Sequence, residues 1–164
     1  MVELRSVTES NRAELEALHV SPSQERFVSS VAEALIEATE HPGAHAITWG
    51  VYAEDLPVGF VMIADEVDAP EYVPQYLWKL LIDERYQRHG YGTAALDQVV
   101  EYFRARPDVT VISTSAVEGE GGPIPFYERY GFVRTGEMFE GEVMLRLDLN
   151  SASSTPTRAS GSRS

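Results

Sequence analysis

Apolar and polar positions alternate over residues 2–7 (VELRSV), which predicts a short opening strand. Leu15 and Leu18 stand among acids at helical spacing, so 9–19 reads as a first helix. Ser21-Pro22-Ser23-Gln24 has the residue types of a capping box with proline at the first helical position. Phe27, Val31, Leu35 and Ile36 continue that spacing, predicting one amphipathic helix from about 22 to a stop at His41-Pro42-Gly43. The apolar runs 46–53 and 57–64 around Glu54-Asp55-Leu56-Pro57 read as a hairpin. An acidic loop from Asp65 to Glu71 precedes another strand over 76–82. A glycine-bearing turn then leads into a helix from Tyr91 to Arg104, with Ala94, Ala95, Val99 and Phe103 inward. Strand 109–115, a short helix near 123–130 and strands near 132–138 and 142–149 complete the pattern. The order β-α-α-β-β-β-α-β-α-β-β predicts an α/β (α+β) domain, a mixed sheet with helices on its faces. Topology of this kind names no reaction by itself.

A chain of 164 residues with 43% hydrophobic content suffices for one domain with its own core. Residues 1–149 are expected to form it. The sequence from 150 to 164, NSASSTPTRASGSRS, holds no large apolar side chain and reads as a flexible tail. With no cysteine, disulfides, thiolate metal sites and cysteine nucleophiles are excluded. The four histidines lack acidic partners at ligand spacing, so no metal site is expected. No apolar stretch approaches the roughly 20 residues of a membrane span, and the expected location is the cytoplasm. Against 26 Asp+Glu stand 13 Lys+Arg, of which Arg158 and Arg163 fall in the tail, for a formal charge of -13. That balance repels phosphate backbones and disfavours a nucleic-acid partner. A cationic small molecule suits it better.

One segment departs from this acidity. Asp83-Glu84-Arg85-Tyr86-Gln87-Arg88-His89-Gly90-Tyr91-Gly92-Thr93 joins a strand to a helix through two closely spaced glycines. Such a turn aims unpaired N–H groups at one spot, the helix dipole adds to their field, and glycine lets an anion approach the backbone. Lys79, Arg85, Arg88, Arg104 and Arg106 slightly outnumber the acids around it. Gly90-Tyr91-Gly92-Thr93-Ala94-Ala95 also matches a dinucleotide fingerprint, but Arg85 to His89 separate it from its strand and too little chain remains for further βα units. A P-loop is excluded because no Gly-Lys-Ser or Gly-Lys-Thr follows.

Gln87-Arg88-His89-Gly90-Tyr91-Gly92 resembles the Q/R-x-x-G-x-G/A signature of the GNAT superfamily of acetyl-CoA-dependent N-acetyltransferases. Pro125-Phe126-Tyr127-Glu128-Arg129-Tyr130-Gly131-Phe132 resembles its second signature, a tyrosine four residues before Gly-Phe. The order of elements over 1–149 is similar as well, implying the GNAT fold with a mostly antiparallel central sheet and helices on both faces. Leu-Leu-Ile-Asp-Glu-x-Tyr-Gln before the glycines and Gly-Glu-Gly-Gly-Pro-x-x-Phe-Tyr look most like bacterial spermine/spermidine acetyltransferases.

The resemblance implies that acetyl-CoA is the co-substrate. Backbone groups of Leu80, Leu81 and Ile82 would bind pantetheine like an added strand. The amides of Gln87, Arg88, His89, Gly90, Tyr91, Gly92 and Thr93 would hold the pyrophosphate, and Tyr127 would sit beside the thioester sulfur and protonate the departing thiolate. Glu120 stands where many relatives carry an asparagine, and Pro123 where they carry an alanine, so contacts of that asparagine do not carry over. The expected acceptor is a primary amine, with a polyamine or diamine such as spermidine at the head. Glu66, Tyr76, Trp78 and Glu118 are candidate substrate residues, and the acids of 65–71 would draw distal ammonium groups. Glu66, Glu118 and Glu120 all remain open as general base. Other readings are acetylation of an aminoglycoside or amino acid, or a catalytically silent acyl-CoA-binding module. Relatives often pair as homodimers, and the apolar pattern does not decide that point.

Overall fold

The computed structural model describes residues 2–65 and 74–152. The strands are β1 (Val2–Ser6), β2 (Ala46–Ala53), β3 (Leu56–Asp65), β4 (Gln75–Ile82), β5 (Val111–Ala116), β6 (Val133–Phe139) and β7 (Glu142–Asp148). The helices are α1 (Arg12–Glu16), α2 (Val31–Glu40), α3 (Tyr91–Arg104), α4 (Ile124–Tyr130) and α5 (Leu149–Ala152). All seven strands form one sheet in the order β1-β2-β3-β4-β5-β7-β6, antiparallel except for the β4/β5 pair. The order expected from the sequence is therefore the order found. Helix α5 crosses the expected domain boundary at 149/150, and residues 153–164 of the expected tail lie outside the described residues.

Period-two alternation along β3 sends Val61 and Ile63 to one side and Phe60 and Met62 to the other, all fully buried. On the first side α3 contributes Leu96, Val99, Val100 and Phe103, and α4 contributes Ile124 and Tyr127. On the second, α1 and α2 contribute Leu15, Val31, Ala34 and Leu35. Helices thus cover both faces.

Helix α2 starts well after its spacing predicts. Ser21 and Gln24 do form a capping box, but it caps only a 3-10 turn, Pro22–Gln24. Helix α2 begins nine residues on, at a second box in which the Ser30 hydroxyl accepts the Glu33 N–H (3.1 Å) and the Glu33 carboxylate accepts the Ser30 N–H (2.9 Å). Two such boxes in succession compete, and the second wins because α2 then buries Val31, Ala34 and Leu35, leaving Ile36 exposed.

Strand β4 carries a bulge. Met62 pairs with Lys79 and Ile63 with Leu77, so Trp78 is the extra residue. Leu77 faces α3, Trp78 faces the α1/α2 side, and Leu80 is back on the α3 side. Lys79 reaches Glu37 of α2 at 3.0 Å.

At the other end of β4, Gly59 of β3 lies opposite Ile82, where a Cβ would stand 2.5 Å from the Leu81 carbonyl oxygen and 2.7 Å from Ile82 Cδ1. The oxygen belongs to the backbone and cannot step aside. Gly59→Ala is expected to destabilise the fold by about 1–3 kcal/mol, as overpacked cores do. Denaturant titration checks it, and an unchanged midpoint would contradict the close strand approach.

Candidate active site

The β4/β5 pair is joined at only two positions, Tyr76 with Ser113 and Leu77 with Thr114. Beyond them the strands part, although β4 keeps its ladder to β3 as far as Ile82. From Trp78 onward the backbone of β4 thus has a neighbour on one side only. The gap opens into a cleft of about 460 Å³. Its walls are Trp78 to Ile82, the turn and first residues of α3, Ser115 and Ala116 of β5, and Phe126 and Tyr127 of α4. Phe27 and Val28 close it from above with Gly121 and Gly122; a Cβ on Gly122 would meet the Phe27 ring at 2.8 Å.

The turn into α3 is held from outside the cleft. Asp83, fully buried, accepts from the Arg85 N–H (2.9 Å), the Arg85 guanidinium (2.8 Å) and the His19 N–H (3.0 Å). The Gln87 side chain donates to the Ile82 carbonyl (2.8 Å) and exchanges hydrogen bonds with Gln24 at 3.0 and 3.2 Å. Arg88 and Gly90 take left-handed conformations, φ +68° and +81°, and Gly90 is the N-cap of α3. The first N–H to find an acceptor within α3 is that of Ala94, on the Gly90 carbonyl at 3.0 Å. The amides of Tyr91, Gly92 and Thr93 precede it at the cleft wall, at the positive end of a 14-residue helix. A diphosphate fits this donor set.

Tyr127 projects from α4 into the same cleft and is 6% exposed. Burial pushes its phenol well above its ordinary range, a hydrogen bond with Thr114 pulls the other way, and the group stays protonated at neutral pH. On the opposite side of the sheet, Tyr76 bonds to the Ser115 hydroxyl, which donates to the Glu142 carboxylate at 2.7 Å. Burial pushes the Tyr76 phenol up to about 12.

Residues 18–132 match the model of the acetyltransferase (GNAT) family. The chain belongs to the GNAT family. It is an acetyl-CoA-dependent N-acetyltransferase. The spermine/spermidine N(1)-acetyltransferase of Bacillus subtilis (strain 168) is 31% identical over 155 residues, covering 90% of this chain and 99% of that one. Among solved structures, the GNAT chain is similar in fold to aminoglycoside acetyltransferase AAC(6')-Ib in complex with coenzyme A. That pair has a TM-score of 0.75 at 19% identity, over 94% of this chain and 99% of the other. The PaiA N-acetyltransferase of Thermoplasma acidophilum in complex with coenzyme A gives 0.61 at 12% identity, over 90% and 99%.

Within this GNAT cleft stand Leu80, Leu81, Ile82, Gln87, Arg88, Gly90, Tyr91, Gly92, Thr93 and Tyr127. His89 turns away: its ring bonds to the Tyr86 and Gln87 carbonyls at 3.0 and 2.9 Å and stacks on Tyr91. Of the candidate substrate residues, Trp78 lines the cleft and Tyr76 reaches it through Ser115. Glu118 is exposed and paired with Arg134 at 2.8 Å. Glu66 lies outside the described residues, as do the other acids of 66–71. Asp65, expected in that acidic loop, is instead the buried end of β3, paired with Arg106 at 2.7 Å. Among the described residues the acid that lines the cleft, Glu142, was not singled out by sequence reasoning, because only the insertion of β7 between β5 and β6 brings it beside Ser115.

Burial alone would raise the Asp83 carboxyl, but its bonds from Arg85 and His19 hold it down to about 2. The unfolded value is about 3.9, so the stabilisation is complete above roughly pH 4 and is lost as pH falls toward 2. Asp83→Asn is expected to lower the thermal midpoint at pH 7 and to flatten its fall between pH 4 and 2. Parallel melting curves for the two proteins would show the assignment wrong.

Proposed function

We propose that this acetyltransferase acetylates a polyamine or diamine such as spermidine by direct transfer from acetyl-CoA, with Tyr127 as the acid that protonates the departing thiolate. The observation that carries this reading is a protonated, buried tyrosine at the wall of the gap where β4 leaves β5. The free edge of β4 at Leu80 to Ile82 offers the amide groups of pantetheine a strand to pair with. The amides at the head of α3 take the diphosphate, which points the thioester down the gap toward Tyr127.

The acceptor is argued from charge and from likeness. A cation is drawn to a chain of formal charge -13, Trp78 offers an aromatic face in the cleft, and the relative with 31% identity is named for spermine and spermidine. A primary amine has a pKa near 10.4, so freeing its lone pair at pH 7 costs roughly 4.6 kcal/mol. Alignment of amine and thioester is worth roughly 7–11 kcal/mol, and a general acid about 10²- to 10⁴-fold in rate. Positioning therefore contributes more than Tyr127, which still matters because an unprotonated thiolate returns to the acyl group.

Tyr127→Phe is expected to keep its thermal midpoint and its affinity for acetyl-CoA while kcat falls about 10²-fold or more. Unchanged turnover in a thiol-release assay removes Tyr127 from the mechanism. In competition, spermidine should outrun small monoamines, and its KM should rise with ionic strength as screening weakens the attraction. A preference for an amine without a second cationic centre defeats the polyamine assignment.

A further inference from the structure

The acid on one side of the gap has a counterpart on the other. Thr114 and Ser115 are consecutive on β5, so their hydroxyls leave opposite faces of the sheet. Thr114 bonds to the Leu77 carbonyl at 2.9 Å and meets Tyr127 on the α4 side. Ser115 donates to the Glu142 carboxylate at 2.7 Å on the other side, and Tyr76 bonds to Ser115 in turn. Ser115, Glu142 and Tyr127 all line the one cleft. The hydrogen bond from Ser115 occupies Glu142 Oε1.

We propose that Glu142 is the general base of the transfer, receiving the proton that the acceptor ammonium gives up, with Ser115 and Tyr76 fixing its carboxylate. This assignment rests on the acetyl-transfer reading above. The ammonium passes one proton to the Glu142 carboxylate, directly or through the Ser115 hydroxyl. The freed nitrogen attacks the acetyl carbon, the carbon–nitrogen bond forms and the carbon–sulfur bond breaks. Tyr127 gives its proton to sulfur and recovers one from the nitrogen, which leaves a neutral amide and free thiol. Glu142 then returns its proton to water, so one proton is released per acetyl group moved.

A carboxylate next to an ammonium in water favours the charged amine. In the cleft the balance changes, because acetyl-CoA excludes water and burial penalises both charges of the pair together. Tyr76 of β4 bonds to the same Ser115 and senses the charges of both Glu142 and Glu140, and Tyr127 and Arg129 of α4 line the same cleft as Glu142. Lys79, across the cleft, is already paired with Glu37.

The test uses Glu142→Gln and Glu142→Asp in the full chain, with acetyl-CoA and spermidine. Calorimetric binding of acetyl-CoA is expected to match wild type in both variants, which shows that the cleft is intact. At pH 7, kcat of Glu142→Gln should fall about 10²- to 10⁴-fold with little change in amine KM, and Glu142→Asp should recover part of it. The deficit should shrink by up to about tenfold per pH unit toward pH 10, where the amine arrives neutral. Wild-type kcat in Glu142→Gln overturns the assignment. So does a raised amine KM with unchanged kcat, or a deficit that does not vary with pH, since these mark an anchor for ammonium or a structural role. Failure of the wild type itself to acetylate any amine would instead count against the parent reading.

Discussion

The site exists because one pair of strands is held together at one end and released at the other. Strand β4 keeps its ladder to β3 as far as Ile82 but meets β5 only at Tyr76 and Leu77, and its exit is held by the buried Asp83 carboxylate. Strand β5 is engaged on its other edge with β7, to which all six of its residues pair. Two ladders, each satisfied on its far side, leave a wedge of unpaired backbone between them, and unpaired backbone in a protein interior demands a partner. The proposed pairing of pantetheine along β4 rests on that edge. The same wedge brings α3 and α4 to its two ends, so the N-terminal amides of α3 and a buried phenol share one opening without belonging to one local motif.

Much of this was legible in the chain. Helix α3 starts and stops where Gly90 and its apolar stripe say, and the β2–β3 hairpin lies where two apolar runs flank Glu54-Asp55. Those features are set by local chemistry that a short window contains. One wall of the cleft was readable for the same reason, because its strand, turn and helix N-terminus are consecutive. The other wall was read only in part, at Trp78. Ser115 and Glu142 come from two further strands, and their meeting depends on β7 entering the sheet beside β5, which no local pattern encodes. The late start of α2 is of the same kind: Ser21-x-x-Gln24 and Ser30-x-x-Glu33 are equivalent signals in sequence, and burial of Val31 and Leu35 chooses between them.

Charge tells a related story. The net of -13 says what the molecule attracts, whereas particular pairings decide which acids are free to act. Asp65 is matched by Arg106, Glu118 by Arg134, Glu37 by Lys79 and Asp83 by Arg85. Each of these carboxylates is paired with a cation, whereas Glu142 takes a hydrogen bond from the Ser115 hydroxyl.

The extra residue in β4 has a further effect on the reliability of the whole arrangement. Its apolar run, YLWKLLI, has almost no alternation to fix its phase against β3. Because Trp78 bulges, Lys79 emerges beside Glu37 while Leu80 returns to the packed side. A slip of one step would drive an ammonium among Val99 and Phe103 and leave a leucine facing a carboxylate. The strand whose edge opens on the cleft is thereby confined to a single setting, enforced by one misplaced charge rather than by the hydrogen bonds it leaves open.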